Sequence, residues 1–431
     1  MTKEKFISSA IILIIGGAFT KLLGIISRMV MTRLVGTTGM GLYMLILPTF
    51  SLFMAIASLG FPIAISKLVA EDKYNNKKLI SSIIPLTILL NLLLMLILFL
   101  TAPFLANNLL NDSRCYYPLL SIGLVLPFVS LSSILNGYFY GKQKMIPHVT
   151  SNIFEQIIRI ILMIFITPFL LEKGIYFAVA GLVLVNIVSE LLQIVILLFF
   201  LPKNFKITKQ DIKPNPHYVK NILHISLPTV TDRIIGLIGY FFEPIILTTI
   251  LLIAGYSNNY IVNEYGIIQG YVMPLLLMPS FFTNAISSAL LPVISKASVS
   301  KNIHKKKYIK KKLKQAILIS LAIGVPVTII LMIFPNFFLK FIYNTNQGTN
   351  YIRFLAPFFL LYYIEAPLSV VLQGINKAKI IMYHTIWAIS SKLIILTIFS
   401  YLTGIVGLLL SIIASITVTT FCHLYSIKKY L

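Results

Sequence analysis

The chain has 431 residues, of which 58% are hydrophobic and only 11% charged. Soluble domains are roughly 45–50% apolar and about 25% charged, so this balance, with a mean hydropathy of +0.92, excludes an ordinary water-soluble enzyme. The 36 Lys and Arg against 12 Asp and Glu give a formal charge of +24. In a soluble protein that excess would point to nucleic acid; in a membrane protein it reports the sidedness of the loops.

Crossing a bilayer takes roughly 20 apolar residues. Twelve such segments follow in chain order, at 6–33, 39–65, 79–106, 115–140, 147–171, 175–201, 221–254, 265–294, 315–343, 350–373, 380–402 and 404–425. The period-2 pattern of a membrane barrel is absent, so the segments are predicted to be helices. The first has the charged start of a secretory signal. No small-residue cleavage site closes it, and its apolar run continues past Lys21, so it reads as a retained helix.

The connecting loops sort into two classes. Twenty-six cations fall on one side: Lys3 and Lys5, the stretches 67–78, 142–144, 203–220, 296–314 and 377–379, and Lys428 and Lys429. Five fall on the other: Arg33, Arg114, Lys173, Lys340 and Arg353. Lys and Arg collect in cytoplasmic loops, so a multi-pass cell-membrane protein with both termini cytoplasmic is expected, and nucleic acid is excluded as a partner. The lysine-rich 296–314 stretch reads as a solvated face near anionic lipid.

The basic loop 202–220 separates two sets of six segments, an N-terminal half (1–201) and a C-terminal half (221–431). Short strings recur between them. Lys21-Leu22-Leu23-Gly24 matches Arg233-Ile234-Ile235-Gly236, and Pro62-Ile63-Ala64-Ile65-Ser66-Lys67 matches Pro292-Val293-Ile294-Ser295-Lys296. Gly141, Lys144 and Arg159 have the spacing of Gly374, Lys377 and Lys392. Six crossings return the chain to its starting side. The expected fold is therefore all-α and integral to the membrane, about twelve transmembrane helices in two parallel six-helix halves around a central cavity.

Ten ionisable residues lie inside the segments: Lys21, Arg28, Arg159, Arg233, Lys392, Glu155, Glu190, Asp232, Glu243 and Glu365. Each costs several kcal/mol near the bilayer centre unless it faces protein or water. Gly17, Lys21, Gly24 and Arg28 share one helical face; they either line a cavity or pack tightly with Arg28 reaching the surface. Asp232, Gly236, Gly239 and Glu243 repeat the pattern. Asp232 and Glu243 read either as ion or proton sites or as partners for cations. Glu155 and Arg159 stand four apart in the order that favours an intrahelical pair. Lys392 has no acid within a turn of its own helix. Glu190 and Glu365 read first as polar helix contacts. Lys21, Arg159, Arg233 and Lys392, two from each half, would suit an anionic substrate.

No Gly-rich phosphate loop ending in Lys-Ser/Thr occurs. The six His are scattered without metal-ligand spacing, so no metal or organic cofactor is expected. His148 and His384, near helix ends, read as structural. Cys115 and Cys422 are expected at opposite faces, beyond disulfide reach.

The stretch Gly137-Tyr138-Phe139-Tyr140-Gly141, with Gln143, Met145, Pro147, Glu155-Gln156 and Arg159, resembles the stage V sporulation protein B family, Tyr140 standing where that family has Gln. Gly39 to Tyr43, Pro62 through Glu71, and Tyr265-Gly266 through Lys296 extend the resemblance over most of the chain. That family belongs to the multidrug/oligosaccharidyl-lipid/polysaccharide (MOP) exporter superfamily and is similar to the MurJ lipid II flippases. The resemblance implies a flippase that moves an undecaprenyl-diphosphate-linked saccharide to the outer leaflet by alternating access, in spore-cortex or cell-wall synthesis. It also places Lys21 near a cavity cation of the MurJ branch. Longer relatives carry about fourteen helices, and the last pair has no counterpart here.

The expected protein is thus not an enzyme. It is expected to be a monomer whose partners are membrane lipids, the lipid-linked saccharide and cell-wall synthesis enzymes. Membrane potential, H+ or Na+ would drive it. Lys21, Arg28, Arg159, Arg233 and Lys392 would attract the head group. Glu155, Asp232, Glu243 and Glu365 would couple ions or pair the cations. The alternatives are a drug or cation exporter of the same superfamily, a membrane-embedded transferase on prenyl-linked sugars, and a non-transporting scaffold.

Overall fold

The computed structural model describes residues 3–71, 74–202, 205, 215–298 and 304–431, with side chains from Gly16 onward except those of Pro228, Thr229 and Asp232. Much of the expected 202–220 linker, Lys301 and the Asp232 side chain therefore lie outside the described residues.

Fifteen α-helices follow one another: α1 (Lys3–Ser58), α2 (Phe61–Ala70), α3 (Asn76–Phe104), α4 (Tyr116–Gly141), α5 (Met145–Leu171), α6 (Ile175–Phe199), α7 (Pro216–Ile253), α8 (Asn258–Tyr265), α9 (Met273–Leu277), α10 (Ser280–Ser298), α11 (Lys305–Ile333), α12 (Pro335–Tyr343), α13 (Thr349–Gly374), α14 (Ala378–Thr403) and α15 (Val406–Tyr430). Wide π-helical turns extend α3 over Leu105–Leu109 and join α8 to α9 over Gly266–Val272. The described residues contain no strand. Among the described residues ten helices are long and apolar enough to cross a membrane. An eleventh span forms if Asn258–Leu277 and Ser280–Ser298, bent by 49°, count as one.

The twelfth sequence segment is accounted for inside α1. Its 56 residues, if straight, would run about 84 Å at 1.5 Å per residue, far beyond a hydrocarbon core of roughly 30 Å. The helix breaks at Gly36, whose φ of 63° and ψ of −166° suit a residue without Cβ. That break falls in the gap between the first two predicted segments. Three other expectations need correction. The segment 39–65 is not one helix, because Leu59 (φ 40°) and Gly60 (φ 65°) separate α1 from α2. The segment 265–294 is not one straight helix, because it bends at Met278–Pro279. The segment 315–343 is interrupted at Phe334 (φ −118°, ψ 43°), where Pro335 opens α12; proline disfavours helical backbone at the residue before it.

By internal contacts the chain divides into two compact units, Met1–Phe241 and Phe242–Leu431. The dividing point lies within α7 rather than in the 202–220 loop. In the first unit Phe61, Ile65, Ile83, Phe139 and Leu197 form a core that Ile222 of α7 joins. In the second, Ile294, Ile309, Leu368, Leu372 and Ile427 form another. Lipid tails are as apolar as leucine, so close packing and interhelical hydrogen bonds hold such helices together. Asn91 in α3, for example, is buried and accepts from Ser130 in α4 at 3.1 Å.

The repeat strings make matching contacts inside the two units. A Cβ added to Gly141, at the end of α4, would stand 2.6 Å from the Ser66 carbonyl oxygen of α2. One added to Gly374, at the end of α13, would stand 2.6 Å from the Ile294 side chain of α10. In each unit the glycine lets a helix end close against the Ile-Ser-Lys string of another helix.

Candidate cavity sites in the two units

Polar residues every fourth position give α5 one hydrophilic face in an otherwise apolar helix. His148, Asn152 and Gln156 lie on it, and Arg159 continues it. The His148 ring lies between the Tyr140 hydroxyl, 2.6 Å from Nε2, and Asn136 Oδ1, 2.8 Å from Nδ1. The Asn152 amide nitrogen is 3.0 Å from His148 Nε2, and its oxygen accepts from Gln193 of α6 at 2.5 Å. These bonds hold the amides and the phenol in fixed orientations.

This face meets the glycine-rich face of α1 across a cavity of about 430 Å³ lined by Gly17, Thr20, Lys21, Gly24, Tyr140, His148, Asn152 and Gln156. A Cβ on Gly17 or Gly24 would touch nothing within 4 Å, whereas one on Gly16 would meet Val149. The small residues of α1 therefore do two jobs: Gly16 admits α5, while Gly17 and Gly24 leave space. Lys21 is exposed there and has no ion-pair partner among the described residues.

The Arg159 guanidinium donates to the buried Glu155 carboxylate four residues earlier, and Gln156 Nε2 donates to the same carboxylate at 3.4 Å. Glu190 of α6 accepts from Ser132 of α4 at 2.5 Å. Arg28 is half-buried and Arg233 exposed, and neither has an ion-pair partner among the described residues. The matched pair Lys21 and Arg233 is thus left open, with empty space above both Gly24 and Gly236.

The second unit treats its charges differently. Glu243 of α7 is fully buried. It accepts from Lys392 Nζ of α14, from Gln269 Nε2 at 2.5 Å and from the Tyr265 hydroxyl at 3.2 Å. Lys392 has no acid on its own helix near it, but tertiary structure brings one from α7. Glu365 of α13 accepts from Thr420 at 3.4 Å and lines a cavity of about 240 Å³ with Thr283, Asn284, Tyr362, Thr385 and His423. His384 and His423 stand 3.2 Å apart through their Nδ1 atoms, with Ser426 bonded to the first.

A search for charge alone passes over Tyr140, Asn152, Gln156, Tyr265 and Gln269, because neutral donors look unremarkable in sequence. The signal that finds two of them is spacing: Asn152 and Gln156 follow His148 at intervals of four inside α5. No group of three or more His, Cys, Asp or Glu suited to a metal occurs among the described residues.

A family profile described as polysaccharide biosynthesis protein matches residues 6–298. The stage V sporulation protein B of Bacillus subtilis (strain 168) is 36% identical over the whole of this chain and 85% of its own length. The chain belongs to that family. A MatE profile also matches residues 244–399. The lipid II flippase MurJ of the same organism is 24% identical over 91% of this chain and 77% of its own. Among solved structures, an inward-facing multidrug-resistance MATE transporter of the MOP superfamily aligns with a TM-score of 0.75 at 17% identity, over 95% of this chain and 96% of that one. A lipid II flippase MurJ in an inward closed conformation aligns at 0.72 and 18%, over 97% and 87%. This family member is therefore a multi-pass membrane protein with the fold shared by the MATE and MurJ structures.

Proposed function

We propose that this chain is a flippase that carries an undecaprenyl-diphosphate-linked saccharide from the inner to the outer leaflet of the cell membrane. The observation that carries this reading is the set of cations left without acid partners. Lys21 stands exposed in a cavity lined by polar side chains, and Arg28 and Arg233 have no carboxylate partner among the described residues. A cation held inside a membrane protein without a carboxylate calls for an anion from outside, and a diphosphate supplies it through charge-assisted hydrogen bonds. Similarity to the stage V sporulation protein B and to the lipid II flippase MurJ supports the same substrate class.

Arg159 and Lys392 play another part in this reading: their charges are engaged by Glu155 and Glu243. The prenyl tail stays in lipid, the chain works as a monomer, and the membrane potential or an H+ or Na+ gradient drives the cycle. Both termini face the cytoplasm. The cell-wall synthesis enzymes take the delivered saccharide.

The test is leaflet-resolved accumulation of lipid II, in cells depleted of the protein and complemented with variants at equal protein levels. Lys21→Ala and Arg233→Ala should each lower outward movement. Wild-type rates in both would overturn the cationic reading. A second reading, export of a cationic drug, draws on Glu365 in its own polar cavity. Raised drug resistance on expression, without movement of lipid II, would favour it.

A further inference from the structure

The cavity of the first unit has a composition that a diphosphate by itself does not explain. It holds one cation, Lys21, no carboxylate, and an array of neutral hydrogen-bonding groups from Thr20, Tyr140, His148, Asn152 and Gln156. A diphosphate cavity would need several cations. An apolar drug would need apolar and aromatic walls. A bound metal cation would need carboxylates, and Glu155, the nearest along α5, is turned to Arg159.

What fits is a neutral ligand rich in hydroxyl groups with one negative charge beside it. The cavity volume of about 430 Å³ falls within the roughly 300–1,000 Å³ typical of small-molecule sites. Its walls are also preset. Asn152 is held from both ends, by His148 and by Gln193, and Tyr140 is held by His148. Fixed donors and acceptors discriminate strongly against a ligand that lacks the matching hydroxyl, because the protein's own polar groups would then stay unpaired.

We propose that this cavity is a saccharide subsite. It takes the sugar ring next to the diphosphate of the lipid-linked substrate, with Asn152, Gln156 and Tyr140 bonding ring hydroxyls and Lys21 neutralising the adjoining phosphate. The inference rests on the flippase reading above and adds to it where the sugar is recognised. His148 is a positioning residue here, acting through Tyr140 and Asn152.

The experiment compares two probes, undecaprenyl diphosphate and lipid II, for binding to the purified full-length protein in lipid nanodiscs. The wild type should hold lipid II more tightly. Asn152→Leu and Gln156→Met, which keep volume and remove hydrogen bonds, should each lose about tenfold for lipid II and leave undecaprenyl diphosphate unchanged. Lys21→Ala should weaken both. Gly24→Leu fills the cavity from the opposite wall and should also cost lipid II alone, so the test does not depend on the α5 variants folding. A wild type that binds both probes equally, or α5 and Gly24 variants that keep the preference, would overturn the saccharide subsite and leave the flippase reading standing. A wild type that binds neither probe would overturn both.

Discussion

Lys392 donates to Glu243 across 149 positions of sequence, tying α14 to α7 inside the second unit. The carboxylate is fully buried and satisfied by two further donors, Gln269 and Tyr265. Removing one partner of such a pair strands a charge in a low-dielectric interior, at a cost of about 3–5 kcal/mol, whereas replacing both is far less damaging. Lys392→Met should therefore lower the melting temperature of the detergent-solubilised protein sharply. Adding Glu243→Gln to it should recover more than half of that loss. A double variant as unstable as the sum of the singles would show that the pair has no coupling.

The glycines separate packing from space. Gly141→Ala would drive a methyl against the Ser66 carbonyl oxygen, which is backbone and cannot swing away; overpacking of this kind costs about 1–3 kcal/mol. Gly374→Ala meets Ile294 Cγ2 at 2.6 Å and Cβ at 2.9 Å, atoms held close to the backbone, so a comparable loss is expected. Gly236→Ala meets nothing, and alanine is the better helix former by about 1 kcal/mol. Thermal unfolding of the three variants should place Gly236→Ala at or above wild type and both Gly374→Ala and Gly141→Ala well below it.

Gly36 is open in space but not in backbone. Nothing lies within 4 Å of a built Cβ, yet its φ of 63° with ψ of −166° belongs to a region that side chains avoid. The cost of Gly36→Ala is thus a backbone cost, of order 1–3 kcal/mol. The variant should reduce the yield of folded protein, measured by size-exclusion profile, although the added methyl would meet no neighbour. A profile like that of wild type would mean the break tolerates a helical residue.

Loop charge makes a topological prediction. In a background with Cys115 and Cys422 replaced, Lys310→Cys and Lys428→Cys should react with a membrane-impermeant maleimide only after the cell is opened. Glu172→Cys should react in intact cells. Labelling of Lys428→Cys in intact cells would reverse the orientation.

The membrane architecture was legible in the sequence because it depends on length and hydropathy, which are local. All twelve predicted segments are largely helical, three of them interrupted, and the break between the first two lies at Gly36. The Glu155–Arg159 pair was legible for the same reason, since helical spacing alone puts both side chains on one face. The bend at Met278–Pro279 and the interruption at Phe334 were missed, because hydropathy averages over the few residues that turn a helix.

The sequence by itself determined that this chain lies in a membrane, and which family it belongs to. It also placed ten charges inside the apolar segments. Only tertiary structure decided which of those charges remain available. Lys392 had no acid near it in sequence and acquires Glu243 from another helix, while Lys21 keeps an open cavity because α5 presents amides and α4 a phenol there instead of a carboxylate. The physical reason is that the cost of a buried charge is set by what stands within a few ångströms of it, and helix packing, not sequence spacing, chooses those neighbours.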